Sequence, residues 1–184
     1  MGTVVERART GDREAFAEIY RLFHRRVYGL CRRLLGSVEG AQDAASEVFL
    51  RVQREMNSYD AARPFPAWLL SIASHHCLDQ LRRRHLERRL FEVEEREEPI
   101  HAAPGPGALD GLLLRERREA VLAAVEALPE RYRVPLALRY ERDLCYDEIA
   151  AELGLNRNHV ATLLFRAKQE LRRALAPGRK GAGV

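Results

Sequence analysis

No stretch of this 184-residue chain approaches the roughly 18 consecutive apolar residues that a membrane-crossing helix needs. The opening segment MGTVVERARTGDREAF holds no apolar run, so neither a secretory signal nor a membrane anchor is expected there. Cysteine is scarce: Cys31, Cys77 and Cys145 lie far apart, with no C-x-x-C pair. An odd, sparse count excludes a disulfide framework and points to reduced thiols in a cytoplasmic protein. The alternating pattern of a half-buried strand is missing throughout. So are a phosphate-binding loop and a G-x-S-x-G nucleophile motif, which argues against an enzyme. One constellation keeps metal chemistry in view: His75, His76 and Asp79 share a helix, and His and Asp at i, i+4 can hold a cation. No third or fourth ligand has supporting spacing, so no metal, cofactor or small-molecule substrate is expected.

What is present is helical periodicity and patterned charge. Hydrophobic residues make up 46% of the chain, enough to build a core, and the formal net charge of +4 suits a polyanionic partner. Leu81–Arg89 carries five arginines against one glutamate, and Glu92–Glu98 (EVEEREE) then reverses the sign. Apolar residues recur at three- and four-residue spacing through Phe16, Ile19, Tyr20, Phe23, Val27, Leu30, Cys31 and Leu34, predicting a helix that Gly36 ends. Ser37–Gly40 reads as a turn, and a second helix is expected from about Ala41 to Met56. Asn57–Asp60 breaks it, and Pro64 and Pro66 interrupt the following stretch. A third helix then runs into the arginines, burying Leu70, Ala73, Cys77, Leu78 and Leu81. Glu92 to Gly111, with three prolines and three glycines, has linker composition. Helix resumes near Leu112, restarts at Pro129, and should kink or restart again at Pro135.

The end of the chain carries the most specific local signal. Tyr146–Leu153 is followed by Gly154, which can adopt the left-handed conformation that ends a helix. Asn156 can cap the long helix that follows. Ile149, Ala150 and Leu153 would face Val160, Leu164, Ala167 and Leu171. Two helices with facing stripes across a tight glycine turn predict a helix-turn-helix, with an ordinary helical hairpin as the plainer alternative. The outward face of the last helix would then carry Asn158, Ala161, Thr162, Phe165, Arg166 and Gln169. Asn, Thr, Arg and Gln can bond base edges or phosphates in a major groove, while Arg157, Lys168, Arg172 and Arg173 add attraction for the backbone. Upstream, Tyr59, Phe65 and Trp68 surround the proline-rich loop, ahead of Arg82, Arg83 and Arg84. Aromatics beside a basic helix suit unstacked single-stranded bases; the alternative places these rings in a core.

With those residues in hand, Asp43 to Arg84 resembles region 2 of the extracytoplasmic-function sigma factors, a branch of the sigma-70 family. Leu128 to Leu175 resembles their region 4. The resemblance implies an all-α protein of two small helical domains: region 2 over 1–91, an acidic, Pro- and Gly-rich linker over 92–112, region 4 over 113–177 and a tail over 178–184. It implies a transcription initiation subunit that binds core RNA polymerase and recognises the −10 and −35 promoter elements. Asp43, Glu47, Phe49, Leu50 and Gln53 match the helix that docks on the clamp helices of the polymerase largest subunit. Ser58, Tyr59, Asp60, Arg63, Phe65, Trp68, His75, Arg82, Arg83 and Arg84 match the element that captures and melts the −10 strand. Asn156, Arg157, Asn158, His159, Thr162, Phe165, Arg166 and Lys168 match the −35 reader. The polymerase flap, promoter DNA and an anti-sigma factor are the further implied partners, and Phe165 with its neighbouring leucines suits the last of these. Such a protein is cytoplasmic and joins the nucleoid when bound to polymerase.

Departures from the family pattern accompany the resemblance. Ser71, Ser74 and His75 stand where Arg, Arg and Asn are frequent, Gln53 where Trp is, and Ala161 and Leu163 where Lys and Arg are. Cys145 replaces a capping Ser and is either a tolerated loss or a redox-sensitive spot. The principal rival is a conventional helix-turn-helix regulator, which would bind duplex DNA as a symmetric dimer without polymerase.

Overall fold

The computed structural model describes residues 2–90 and 111–176. The acidic run Glu92–Glu98, most of the expected linker and the expected tail lie outside the described residues. All regular structure among the described residues is helical, and the chain divides into two compact units, Met1–Glu95 and Arg96–Val184.

The first unit contains α1 (Gly2–Arg9), α2 (Arg13–Leu35), α3 (Val38–Glu55), a single 3₁₀ turn (Met56–Ser58) and α4 (Phe65–Leu90). Asp12 starts α2, its carboxylate accepting the N–H groups of Glu14 and Ala15 at 2.9 and 3.1 Å. Those bonds, together with the guanidinium of Arg7, hold its carboxyl below the ordinary aspartate value. Gly36 ends α2 at φ 77°, a left-handed conformation that glycine adopts without Cβ strain. Ser37 then caps α3 by accepting the N–H of Gly40 at 3.1 Å. The expected turn over Ser37–Gly40 is therefore a cap and the first turn of a helix, because one serine oxygen satisfies a donor that a loop would leave open. Helices α2, α3 and α4 pack together around the fully buried Ile19, Leu30, Leu34, Val48, Val52 and Leu69. Each of these side chains contributes about 1.5–3 kcal/mol by leaving water. Cys31 and Cys77 meet in that core; their mutual hydrogen bond and burial push the Cys77 thiol far upward, so it stays protonated.

Two expectations are corrected here. The short α1 was not foreseen, since only Val5 and Ala8 of its eight residues are buried and no stripe of useful length exists. Tyr20, placed by periodicity on the buried stripe, is 41% exposed, because it lies at the edge of the stripe rather than along its centre.

The second unit contains α5 (Gly111–Glu126), α6 (Glu130–Glu141), α7 (Tyr146–Leu153) and α8 (Arg157–Leu175). Its core joins Leu138, Ile149, Val160 and Leu164. Pro129 is the residue before α6, with φ −50° and ψ 144°, and supplies no side-chain cap. α6 continues through Pro135 without the expected restart. Val134, Pro135, Leu136, Ala137 and Leu138 are all buried, so packing offsets the single backbone bond that proline removes.

Candidate nucleic-acid interface

The second unit presents a helix-turn-helix. Gly154 ends α7 at φ 66° and its N–H donates to the Ala150 carbonyl. Two residues on, the Asn156 side chain accepts the N–H of His159 at 2.8 Å and opens α8. Cys145, a weak cap, begins α7, but the Glu148 carboxylate accepts the Cys145 N–H at 2.6 Å. That bond holds the Glu148 carboxyl below its usual range. The start of α7 is thus secured from the glutamate side, which explains why cysteine is tolerated there.

On α8, Val160, Leu163, Leu164 and Ala167 are buried, whereas Asn156, Arg157, Asn158, His159, Thr162, Phe165 and Arg166 are exposed. Leu163 was read as a lost contact residue; its burial makes it part of the core instead. Arg157 pairs with Asp147 at 3.4 Å, and the Thr162 hydroxyl donates to the Asn158 carbonyl at 3.0 Å. Phe165 is 59% exposed, so its apolar ring faces water until something covers it. The Lys168 ammonium lies 5.9 Å from the centre of the Tyr140 ring, within range of a weak cation–π contact. The face therefore offers hydrogen-bonding side chains around one apolar ring, flanked by cations.

In the first unit, the segment between the 3₁₀ turn and α4 is tied down locally. The Tyr59 hydroxyl donates to the Arg63 carbonyl, the Asp60 carboxylate accepts the Ala62 N–H at 2.9 Å, and Ser58 donates to the Glu55 carbonyl at 2.7 Å. Beneath it, Tyr59, Phe65 and Trp68 form one cluster with ring centres 5.1–5.7 Å apart. Phe23 joins it at 5.7 Å from Phe65. Tyr59 and Phe65 are buried and Trp68 is half-buried. The burial of Tyr59 and Phe65 agrees with the alternative that places these rings in a core rather than open for stacking, and Phe65 packs against Phe23. Ser58, Asp60 and Arg63 remain exposed above the cluster.

Along α4, His75, Arg82 and Arg83 are exposed, with Arg82 bonded to Asp79 at 2.7 Å. Arg84 is half-buried, and its guanidinium lies against Gly40, where an added Cβ would meet it at 3.3 Å. Ser74 is fully buried and donates to the Ser71 carbonyl. His76 is half-buried, and burial, the largest of several opposed influences, lowers its imidazole below the usual value. Among the described residues no group of histidine, cysteine, aspartate and glutamate is arranged to hold a metal.

On α3, Asp43, Leu50 and Gln53 are exposed, and Glu47 pairs with Arg54 at 2.9 Å. Phe49 is 4% exposed, packed under Tyr20 and His24. Buried there, it lies under the outer surface of α3 rather than on it. Arg131, Tyr132 and Tyr140 escaped the sequence reading. The Arg131-Tyr132 pair in LPERYR is the one signal that could have marked a basic, aromatic edge on α6.

A helix-turn-helix unit and a helical unit with an aromatic-backed loop, carried on one chain, define a two-part DNA-binding protein. Comparison with known proteins makes this specific. Residues 19–87 match sigma-70 region 2 and residues 118–171 match sigma-70 region 4. The ECF RNA polymerase sigma factor SigE of Mycolicibacterium smegmatis is 34% identical over 179 residues, covering 95% of this chain and 68% of that protein. SigW of Bacillus subtilis, also an ECF sigma factor, is 29% identical over 176 residues, covering 93% and 94% respectively. In fold, the chain resembles the sigma factor RpoE solved with the anti-sigma factor NepR from Bartonella quintana, with a TM-score of 0.61 at 19% identity. That match covers 89% of this chain and 98% of the other. CnrH, solved with the cytosolic domain of CnrY, gives 0.52 at 19% identity, covering 94% and 95%. The chain belongs to the extracytoplasmic-function sigma factors of the sigma-70 family. Its function is that of an RNA polymerase sigma factor, not of a free-standing dimeric regulator. No helix among the described residues is long and apolar enough to cross a membrane.

Proposed function

We propose that the two units divide the work of promoter recognition. The exposed edge of α3, comprising Asp43, Glu47, Leu50 and Gln53, docks on the clamp helices of the polymerase largest subunit, with Phe49 setting its shape from below. The loop Ser58–Pro66 on its aromatic platform, together with His75, Arg82 and Arg83, captures the melted −10 strand. α8 reads the −35 duplex through Asn156, Arg157, Asn158, His159, Thr162, Phe165, Arg166 and Lys168, with the second unit seated on the flap. The observation that carries this reading is the exposed polar face of α8 in a helix-turn-helix linked to a region 2 unit.

On this reading the protein performs no chemistry of its own. Polymerase holds the catalytic centre, and the sigma factor converts binding energy for two DNA elements into position and strand opening. It works in the cytoplasm, at the nucleoid while bound to polymerase. On this reading, region 2 spans 1–91 and region 4 spans 113–177, and the acidic linker over 92–112 suits a cationic RNA channel. The structural relatives solved with NepR and CnrY support an anti-sigma partner here too, and exposed Phe165 is a suitable anchor for one. The test is co-elution with sigma-free core polymerase, followed by enrichment of a promoter from a randomised duplex pool. Binding to core weakened by Glu47→Lys, and an enriched duplex whose −35 half is lost with Arg166→Ala, are the expected results. A dimer that binds duplex DNA and ignores core would overturn it.

A further inference from the structure

Arg157 opens α8 and Asp147 lies in the first turn of α7, and their side chains meet: the Arg157 Nε stands 3.4 Å from an Asp147 carboxylate oxygen. The contact brings the first turns of both helices of the helix-turn-helix to one edge, and both side chains are exposed there. Asn156 fixes the backbone from which Arg157 springs, its side chain accepting the His159 N–H at 2.8 Å. In such a motif the first residues of the second helix reach base edges while the first helix crosses the DNA backbone. Asp147 therefore carries a negative charge to an edge that must approach a polyanion, where an unpaired carboxylate repels phosphate. The cap of α7 does not require it, because Glu148 accepts the Cys145 N–H. A guanidinium is a planar fork of N–H donors. Held through Nε, it keeps its two terminal amino groups for another partner, and that pair can bridge the O6 and N7 acceptors of guanine.

We propose that Asp147 is a specificity-determining residue of the −35 interface, positioning the Arg157 guanidinium to read a guanine edge in the major groove. This rests on the reading of α8 as the −35 reader, and adds to it a residue of α7 and the base that the pair selects. A guanine is favoured over a phosphate because the carboxylate offsets the charge that draws a cation to the backbone. It leaves in place the donors that a base edge recognises. An arginine restrained by a carboxylate also has less rotamer freedom to lose on binding.

The test uses the full chain bound to core polymerase, and reads the base profile that each variant enriches in the −35 half of a randomised duplex pool. The wild type should enrich guanine at one −35 position. Arg157→Lys keeps the charge and loses the planar fork. It should lower that preference about tenfold or more, with the slope of log affinity against log salt unchanged. Asp147→Ala should lower the preference about threefold, and the Asp147→Ala/Arg157→Lys double variant should match Arg157→Lys alone. A loss of affinity equal on all duplexes would make Asp147 only a partner of the α7 dipole. A gain equal on all duplexes would make it an unpaired repulsive charge. Either result, or additive losses in the double variant, overturns the positioning role. So does an absent guanine preference, or one that Arg157→Lys leaves unchanged, while Arg166→Ala still removes −35 dependence and the reader stands. If Arg166→Ala leaves that dependence intact, or no duplex is enriched, the reader fails and this inference with it.

Discussion

Leu164→Ala removes a side chain only 1% exposed, set among buried Leu138, Ile149 and Val160 at the centre of the second unit. Deleting such a leucine costs about 3–5 kcal/mol, the lost burial plus the cavity left behind. A unit of this size holds roughly 3–10 kcal/mol of stability in total, so the change removes a third or more of it. Hydrogen exchange reads the effect unit by unit. Amides of α6, α7 and α8 should lose at least about 100-fold in protection, since each 1.4 kcal/mol is tenfold. Amides of α2, α3 and α4, built on the separate core of Ile19, Leu30 and Val48, should keep theirs. The variant should still co-elute with core polymerase through α3 while losing discrimination at the −35 element. An equal loss of protection in both units, or a loss below tenfold in the second, would refute the claim that each unit stands on its own core.

Asn156→Ala removes the cap of α8 and should cost about 1 kcal/mol, lowering the melting temperature of the second unit by roughly 4–8 °C; differential scanning calorimetry checks it. Phe49→Ala should destabilise the first unit by about 3–5 kcal/mol, because that ring is buried. Leu50→Ala, at a position 54% exposed, should leave stability within about 0.5 kcal/mol yet weaken co-elution with core, and the reverse pattern would mean that Phe49 makes the contact. Burial depresses the His76 imidazole below 6.5, so the unfolded chain binds a proton at higher pH than the folded one. Its contribution to stability is complete above pH 6.5 and is lost as pH falls from there through the folded value. Urea unfolding of the first unit should show a decline below pH 6.5 that His76→Gln reduces; an identical decline in that variant assigns the effect elsewhere.

Much of this was readable before any coordinates, because the chain states its punctuation plainly. Gly36, Gly154 and Asn156 each stand where a helix ends or begins, and each has the backbone or hydrogen bond that its residue type promised. The α8 stripe of Val160, Leu164 and Ala167 was legible for the same reason. What sequence reading lost is of one kind: periodicity gives a face but not its edges. Tyr20, expected on the buried stripe, lies at the surface, and Leu163 joins the core although a four-residue spacing omits it. Ser37 was mistaken for a turn residue because turns and N-caps draw on the same side chains.

The most direct test of the central claim is run-off transcription by sigma-free core polymerase reconstituted with this chain, on the duplex that the complex enriches. The account predicts a discrete transcript that requires the chain, falls with Leu50→Ala at the polymerase contact, and loses its −35 dependence with Arg166→Ala. No chain-dependent transcript, together with polymerase-independent binding of the protein to duplex DNA as a dimer, would contradict it.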